Sequence, residues 1–128
     1  MSIKGIQHVC IKCTSPEKYR EERHFYCDLL GLPIRREWDT GMLIDTGAGY
    51  LEIFSNETRE LSQGMIQHFA LATDDPDALI AAVRAEGYPV TVEPQDTVVK
   101  SDPPYPIRIA FCLGPVGEEI EFFKELQG

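Results

Sequence analysis

Ile6-Gln7-His8, followed by Val9 and Ile11, returns sixty residues later as Ile66-Gln67-His68, followed by Phe69 and Leu71. Three further echoes keep the same order. Ser15-Pro16 is matched by Asp75-Pro76, and Gly31-Leu32-Pro33-Ile34 by Gly87-Tyr88-Pro89-Val90. Tyr50-Leu51-Glu52-Ile53-Phe54 is matched by Glu119-Ile120-Glu121-Phe122-Phe123. A set of similarities that recurs in the same order is the mark of a duplicated unit.

Each copy reads in the same way. Residues 3–13 alternate like a strand. Ser15 then caps a helix, with Pro16 at its first position, where the missing N–H costs nothing. Tyr19, Tyr26, Leu29 and Leu30 give that helix an apolar side, and Gly31 stops it. Short strands are expected near 34–38, 42–46 and 50–54. The second copy predicts a strand at 65–73, a helix at 76–86 capped by Asp75 and closed by Gly87, and strands near 88–93, 107–113 and 118–124. Leu79, Ile80 and Val83 supply its buried stripe. The fold class is therefore α+β, two tandem βαβββ modules (3–54 and 65–124) forming a curved sheet in a single domain over 1–128. Residues 55–64 are polar and read as the linker. Residues 94–106 hold four prolines and no periodicity, and read as a long loop of the kind that forms lids.

Strand alternation sorts the side chains into faces. Val9, Ile11, Leu51 and Ile53 point one way in the first module; His8 and Glu52 point the other. Phe69, Leu71, Ile120 and Phe122 oppose His68 and Glu121 in the second. The bulky set belongs against the helices. Each module then offers one imidazole and one carboxylate on its remaining face. If the modules pack about a pseudo-twofold axis, His8, Glu52, His68 and Glu121 converge on one divalent transition metal. Imidazole suits Zn, Ni, Co or Fe, whereas Ca and Mg prefer oxygen throughout. Two carboxylates would cancel the metal charge, and an octahedral ion would keep two positions for water or substrate. His24 has no counterpart and reads as a surface residue.

Composition narrows the class of partner. The chain has 128 residues and a net charge of -9, which disfavours nucleic acid and anionic membranes. No apolar run approaches a membrane span, and Met1 to Gly5 lack the apolar core of a signal peptide, so a cytoplasmic location is expected. Cys10 and Cys13 form a C-x-x-C pattern, but residues three apart on a strand face opposite ways. These thiols read as small half-buried residues rather than as a redox or metal pair.

The I-Q-H starts, the helix ending F-Y-x-D-L-L-G-L at 25–32 and the ending G-P-x-G-x-x-I-E-F-F at 114–123 resemble the vicinal oxygen chelate superfamily. The resemblance covers essentially the whole chain. In ligand pattern it is closest to glyoxalase I (lactoylglutathione lyase), whose four metal ligands match His8, Glu52, His68 and Glu121. It implies one divalent Ni, Co or Zn per site and isomerisation of a thiol hemithioacetal through an enediolate at the metal. Glu121 is then the base, with Glu52 as its symmetry-related partner. Lys12 and Asn56 occupy positions that contact glutathione in that enzyme, and Lys100 lies where the family places another basic contact. Lys12 replaces the usual Arg, and Gly114-Pro115-Val116-Gly117 replaces the usual Asp-Pro-x-Gly turn.

The resemblance also implies a homodimer, since in similar bacterial glyoxalases each cage forms between chains. A cage within one chain stays open as the alternative. The expected partner is a small molecule, such as a glutathione or other thiol conjugate. Rival readings are an acyl-CoA epimerase, a thiol transferase, or a metal-free drug-binding protein of the bleomycin-resistance type.

Overall fold

The computed structural model describes residue 2, residues 4–60 and residues 64–126. Ile3 of the expected first strand and residues 61–63 of the expected linker lie outside the described residues. The chain divides into two compact units, Met1–Ser62 and Gln63–Gly128, so the boundary falls inside that linker.

The first unit runs β1 (His8–Lys12), α1 (Pro16–Arg23) with a π-helical continuation (His24–Leu29), β2 (Ile34–Trp38), β3 (Gly41–Asp45) and β4 (Tyr50–Phe54). The second runs β5 (His68–Ala72), α2 (Pro76–Ala85), β6 (Val90–Val99), β7 (Tyr105–Leu113) and β8 (Glu119–Glu125). Each unit is βαβββ, and the sheet orders are the same: β1-β4-β3-β2 and β5-β8-β7-β6. The first and last strands of each unit pair in parallel, and the remaining neighbours are antiparallel.

Local chemistry explains the helix ends. The Lys18 N–H donates to Ser15 Oγ at 3.1 Å, and the Ala78 N–H donates to Asp75 Oδ1 at 3.0 Å. Each such cap stabilises its helix by about 1 kcal/mol. Gly31 and Gly87 take φ of +76° and +88°, a left-handed stop that a side chain would strain.

The first helix departs from the expected apolar stripe. From His24 it is wound as a π-helix, and the Leu30 N–H donates to the Phe25 carbonyl five residues back at 3.0 Å. Wider winding turns Phe25 inward beside Tyr26, and both are fully buried, their rings edge to face at 4.9 Å. Under this helix lie Ile11, Met42, Ile44, Leu51 and Ile53, all buried. In the second unit Ile80 and Val83 of α2 join buried Ala110, Cys112, Ile120 and Phe122.

The lid reading of residues 94–106 is corrected. β6 continues to Val99 and pairs with β7 as far as Val99↔Tyr105, leaving only residues 100–104 as the connection. Pro94 is tolerated because β6 is an edge strand and the ladder is irregular between Val92 and Gln95. Arg108 on β7 also anchors this strand. It donates to Asp77 at 2.7 and 2.8 Å and to Asp96 at 2.9 Å, tying the start of α2 to the hairpin. The guanidinium holds the Asp77 carboxyl below its ordinary range. That contribution to stability is present above the unfolded value and is lost as pH falls through the folded one.

No helix among the described residues is long and apolar enough to cross a membrane. His24 is exposed, with Nδ1 3.1 Å from Asp28 Oδ2. Cys10 is exposed and Cys13 buried, as opposite strand faces require, rather than both half-buried. Burial pushes the Cys112 thiol up to about 12, so it stays protonated at neutral pH. In native protein at pH 7, a maleimide should therefore label Cys10 first. Cys13 and Cys112 should react only after unfolding, which intact-mass spectrometry with peptide mapping reads directly. Prompt labelling of Cys112 in folded protein would contradict this burial.

Candidate metal centre

In the first unit, β1 and β4 are in register with His8 opposite Tyr50 and Cys10 opposite Glu52. His8 and Glu52 thus share a face one step apart along the ladder. His8 Nε2 lies 3.3 Å from Glu52 Oε1. The other ring nitrogen, Nδ1, lies 2.5 Å from the Gln7 side-chain oxygen. That contact turns the ring so that Nε2 is the nitrogen facing the carboxylate.

The second unit repeats the arrangement. His68 stands opposite Glu119 and Ala70 opposite Glu121. His68 Nε2 lies 3.1 Å from Glu121 Oε1, and Nδ1 lies 3.7 Å from Glu119 Oε1. The Phe111 ring meets the imidazole edge to face at 5.0 Å. Gln67 does not repeat the role of Gln7, since its amide donates to the Gly64 carbonyl at 2.8 Å. Glu119 stands nearest Nδ1 instead. Neither Gln7 nor Glu119 was singled out from sequence. The signal for Glu119 was its place two residues before Glu121, on the same strand face.

These pairs fit a transition metal. Two donors each bound at the usual zinc distances and at a right angle lie about 3 Å apart. The observed separations of 3.3 and 3.1 Å are of the size that neighbouring coordination positions would require. The structure brings His8 to Glu52 and His68 to Glu121. Among the described residues, no group of three or more His, Cys, Asp or Glu side chains is gathered into a metal cluster.

Lys12 is on the His8 face of β1, half-buried, its ammonium 4.0 Å from the centre of the Phe54 ring. Asn56 is exposed just past β4. Lys100 is exposed past the end of β6, in the second unit.

The model of the Glyoxalase/Bleomycin resistance protein/Dioxygenase superfamily matches residues 5–122. The chain belongs to that superfamily. It is similar to YaeR of Escherichia coli K12, described as uncharacterized, at 27% identity over 98% of this chain and 99% of that protein. Among solved structures, a putative glyoxalase family protein from Bacillus anthracis superposes with a TM-score of 0.73 at 19% identity, covering 98% of both chains. Trypanothione-dependent glyoxalase I of Leishmania major superposes with a TM-score of 0.70 at 20% identity, covering 96% of this chain and 88% of that one. At such identities the structural likeness establishes the vicinal oxygen chelate fold.

In this member of the superfamily the two carboxylates differ in setting. The Glu121 side chain is 11% exposed and that of Glu52 22%. Burial raises the Glu121 carboxyl above its ordinary value, partly offset by His68, while Glu119 adds to the rise. An acid raised in this way favours the folded chain fully below its unfolded value, and that contribution is lost as pH rises through the folded one. Carboxyl-carbon NMR of metal-free protein should show Glu121 titrating above the value of about 4.3 for a free glutamate. His68→Ala should move the midpoint further up by removing the neighbouring positive charge. A downward move would show that burial is not the dominant cause.

Proposed function

We propose that this protein is a metal-dependent, glyoxalase I-like isomerase or lyase acting on a thiol hemithioacetal, with His8, Glu52, His68 and Glu121 holding one Ni, Co or Zn ion per site. The observation that carries this reading is the duplicated His–Glu pair, with donor atoms 3.3 and 3.1 Å apart in the two units. The likeness to a glyoxalase I fold supports it. When bound, such an ion acts as a Lewis acid, offsetting negative charge that develops on substrate oxygen.

The chain's own residues supply the remaining chemistry. Glu121 takes the proton from the carbon next to the carbonyl and returns it to the neighbouring carbon. Its buried setting brings its basicity closer to that task than an exposed carboxylate's would be. Glu52 is the second carboxylate of the same exchange. Gln7 holds the His8 imidazole through Nδ1 so that Nε2 faces the ligand position, and Glu119 is the carboxylate beside Nδ1 of His68. Lys12, Asn56 and Lys100 hold the anionic arm of the thiol conjugate against a net charge of -9. A cytoplasmic location belongs to the same proposal.

Purified protein should contain about one ion per complete four-donor site, and His8→Ala and His68→Ala should each lower it sharply. With Ni- or Zn-loaded protein, the methylglyoxal–glutathione hemithioacetal should turn over, and Glu121→Gln should lose about two orders of magnitude. Unaltered metal content in both histidine variants would reject the ligand set. Full activity in Glu121→Gln would reject the base.

The proposal includes a homodimer. Each unit carries two donors, so a complete set requires two pairs to meet, and a twofold dimer provides two such meetings between chains. Mixing inactive His8→Ala and His68→Ala chains gives a heterodimer with one intact and one doubly defective cage. About a quarter of wild-type sites should reappear if the cages form between chains. No recovery, with light scattering confirming exchange of subunits, would place each cage within one chain.

A further inference from the structure

The open face of the first sheet continues past the His8–Glu52 pair. Register places Trp38 opposite Gly41, Gly41 opposite Phe54, and Phe54 opposite Lys12, so these four form one row across the sheet. Their contacts are specific. The Trp38 and Phe54 rings meet near edge to face, 5.8 Å apart at 67°. The Lys12 ammonium sits 4.0 Å from the centre of the Phe54 ring. The indole lies across Gly41 so closely that a Cβ there would stand 2.6 Å from its nearest ring carbon. Gly41 therefore lets the indole lie down against the sheet, and Trp38 still keeps 38% of its surface exposed.

Charge completes the picture. The chain has 21 acidic residues against 12 basic ones, yet among the described residues no carboxylate pairs with Lys12. A half-buried ammonium held on an aromatic ring beside an exposed indole is complementary to an anion that carries an aromatic ring. The anion meets the ammonium, and the ring lies against the indole and Phe54. Along β4 this row is two residues from Glu52, a step of about 7 Å.

We infer that Trp38, Phe54 and Lys12 form a substrate platform, one ladder step from the His8–Glu52 pair, that selects arylalkyl carboxylates. This deepens the proposed function by naming the class of its substrate's distal end. It rests on that reading only for the reaction, since binding to the platform requires no metal.

Trp38 is the only tryptophan in the chain, so its emission reports on the platform directly. Chelator-treated protein is titrated with 4-phenylbutyrate, butyrate and 4-phenylbutanol, which carry the ring and the anion, the anion alone and the ring alone. The first should change Trp38 emission saturably, and the other two should bind at least about tenfold more weakly. Lys12→Gln should lose about tenfold in affinity for 4-phenylbutyrate while Lys12→Arg keeps most of it. Gly41→Ala, which lifts the indole without changing charge, should also weaken binding. No saturable change at about 10 mM, or equal affinity in wild type and Lys12→Gln, would overturn the platform. Because metal content and hemithioacetal turnover are measured separately, failure of the lyase reading leaves this result standing, and the converse holds.

Discussion

Parallel pairing of the first and last strands is the constraint on which each unit depends. An antiparallel neighbour would need only a tight turn, but a parallel one needs a long crossover. Here the crossover contains the helix and the intervening hairpin. It brings His8 beside Tyr50 and His68 beside Glu119 in the same register, so that Glu52 and Glu121 each fall one step along from the imidazole. A slip by one residue in either ladder would send the carboxylate to the helix side and a leucine, isoleucine or phenylalanine to the open face. The buried Leu51, Ile53, Ile120 and Phe122 resist that slip, since it would expose them to water. Core packing and site geometry are thus set by one alternation.

Carboxylates near imidazoles on a partly buried face favour a cation. Burial alone pushes the Glu121 carboxyl toward its neutral form, and the His68 imidazole only partly offsets this. A divalent ion would reverse the balance, because a metal ligand must be deprotonated and the ion's charge then dominates its surroundings. The two units differ in what stands beside the imidazole Nδ1, a hydrogen-bonded neutral amide at Gln7 and a carboxylate 3.7 Å away at Glu119. The duplicated pairs are thus alike in geometry and unequal in the charge that stands beside the imidazole.

Much of this was legible in the chain before folding. The duplication, the caps at Ser15 and Asp75, the glycine stops at 31 and 87 and the alternation that puts His and Glu on one face are all local patterns. They depend on neighbours within a few residues, which is why they survive in a string of letters. The family was legible for the same reason, since its motifs sit at those strand and turn positions.

Tertiary structure decided what depends on partners distant in sequence. The π winding where Phe25 and Tyr26 are buried is announced by no helical period in the sequence. Residues 94–99 look aperiodic because Pro94 and the polar residues after it suit an edge strand, whose order comes from pairing with β7. Gln7 and Gln67 are the same letter in the same motif, yet only Gln7 meets its imidazole. The indole over Gly41 requires the register of three strands to be known. Sequence by itself determined which residues could share a face; folding decided which of them touch, because contact depends on ladders and side-chain packing formed between distant segments.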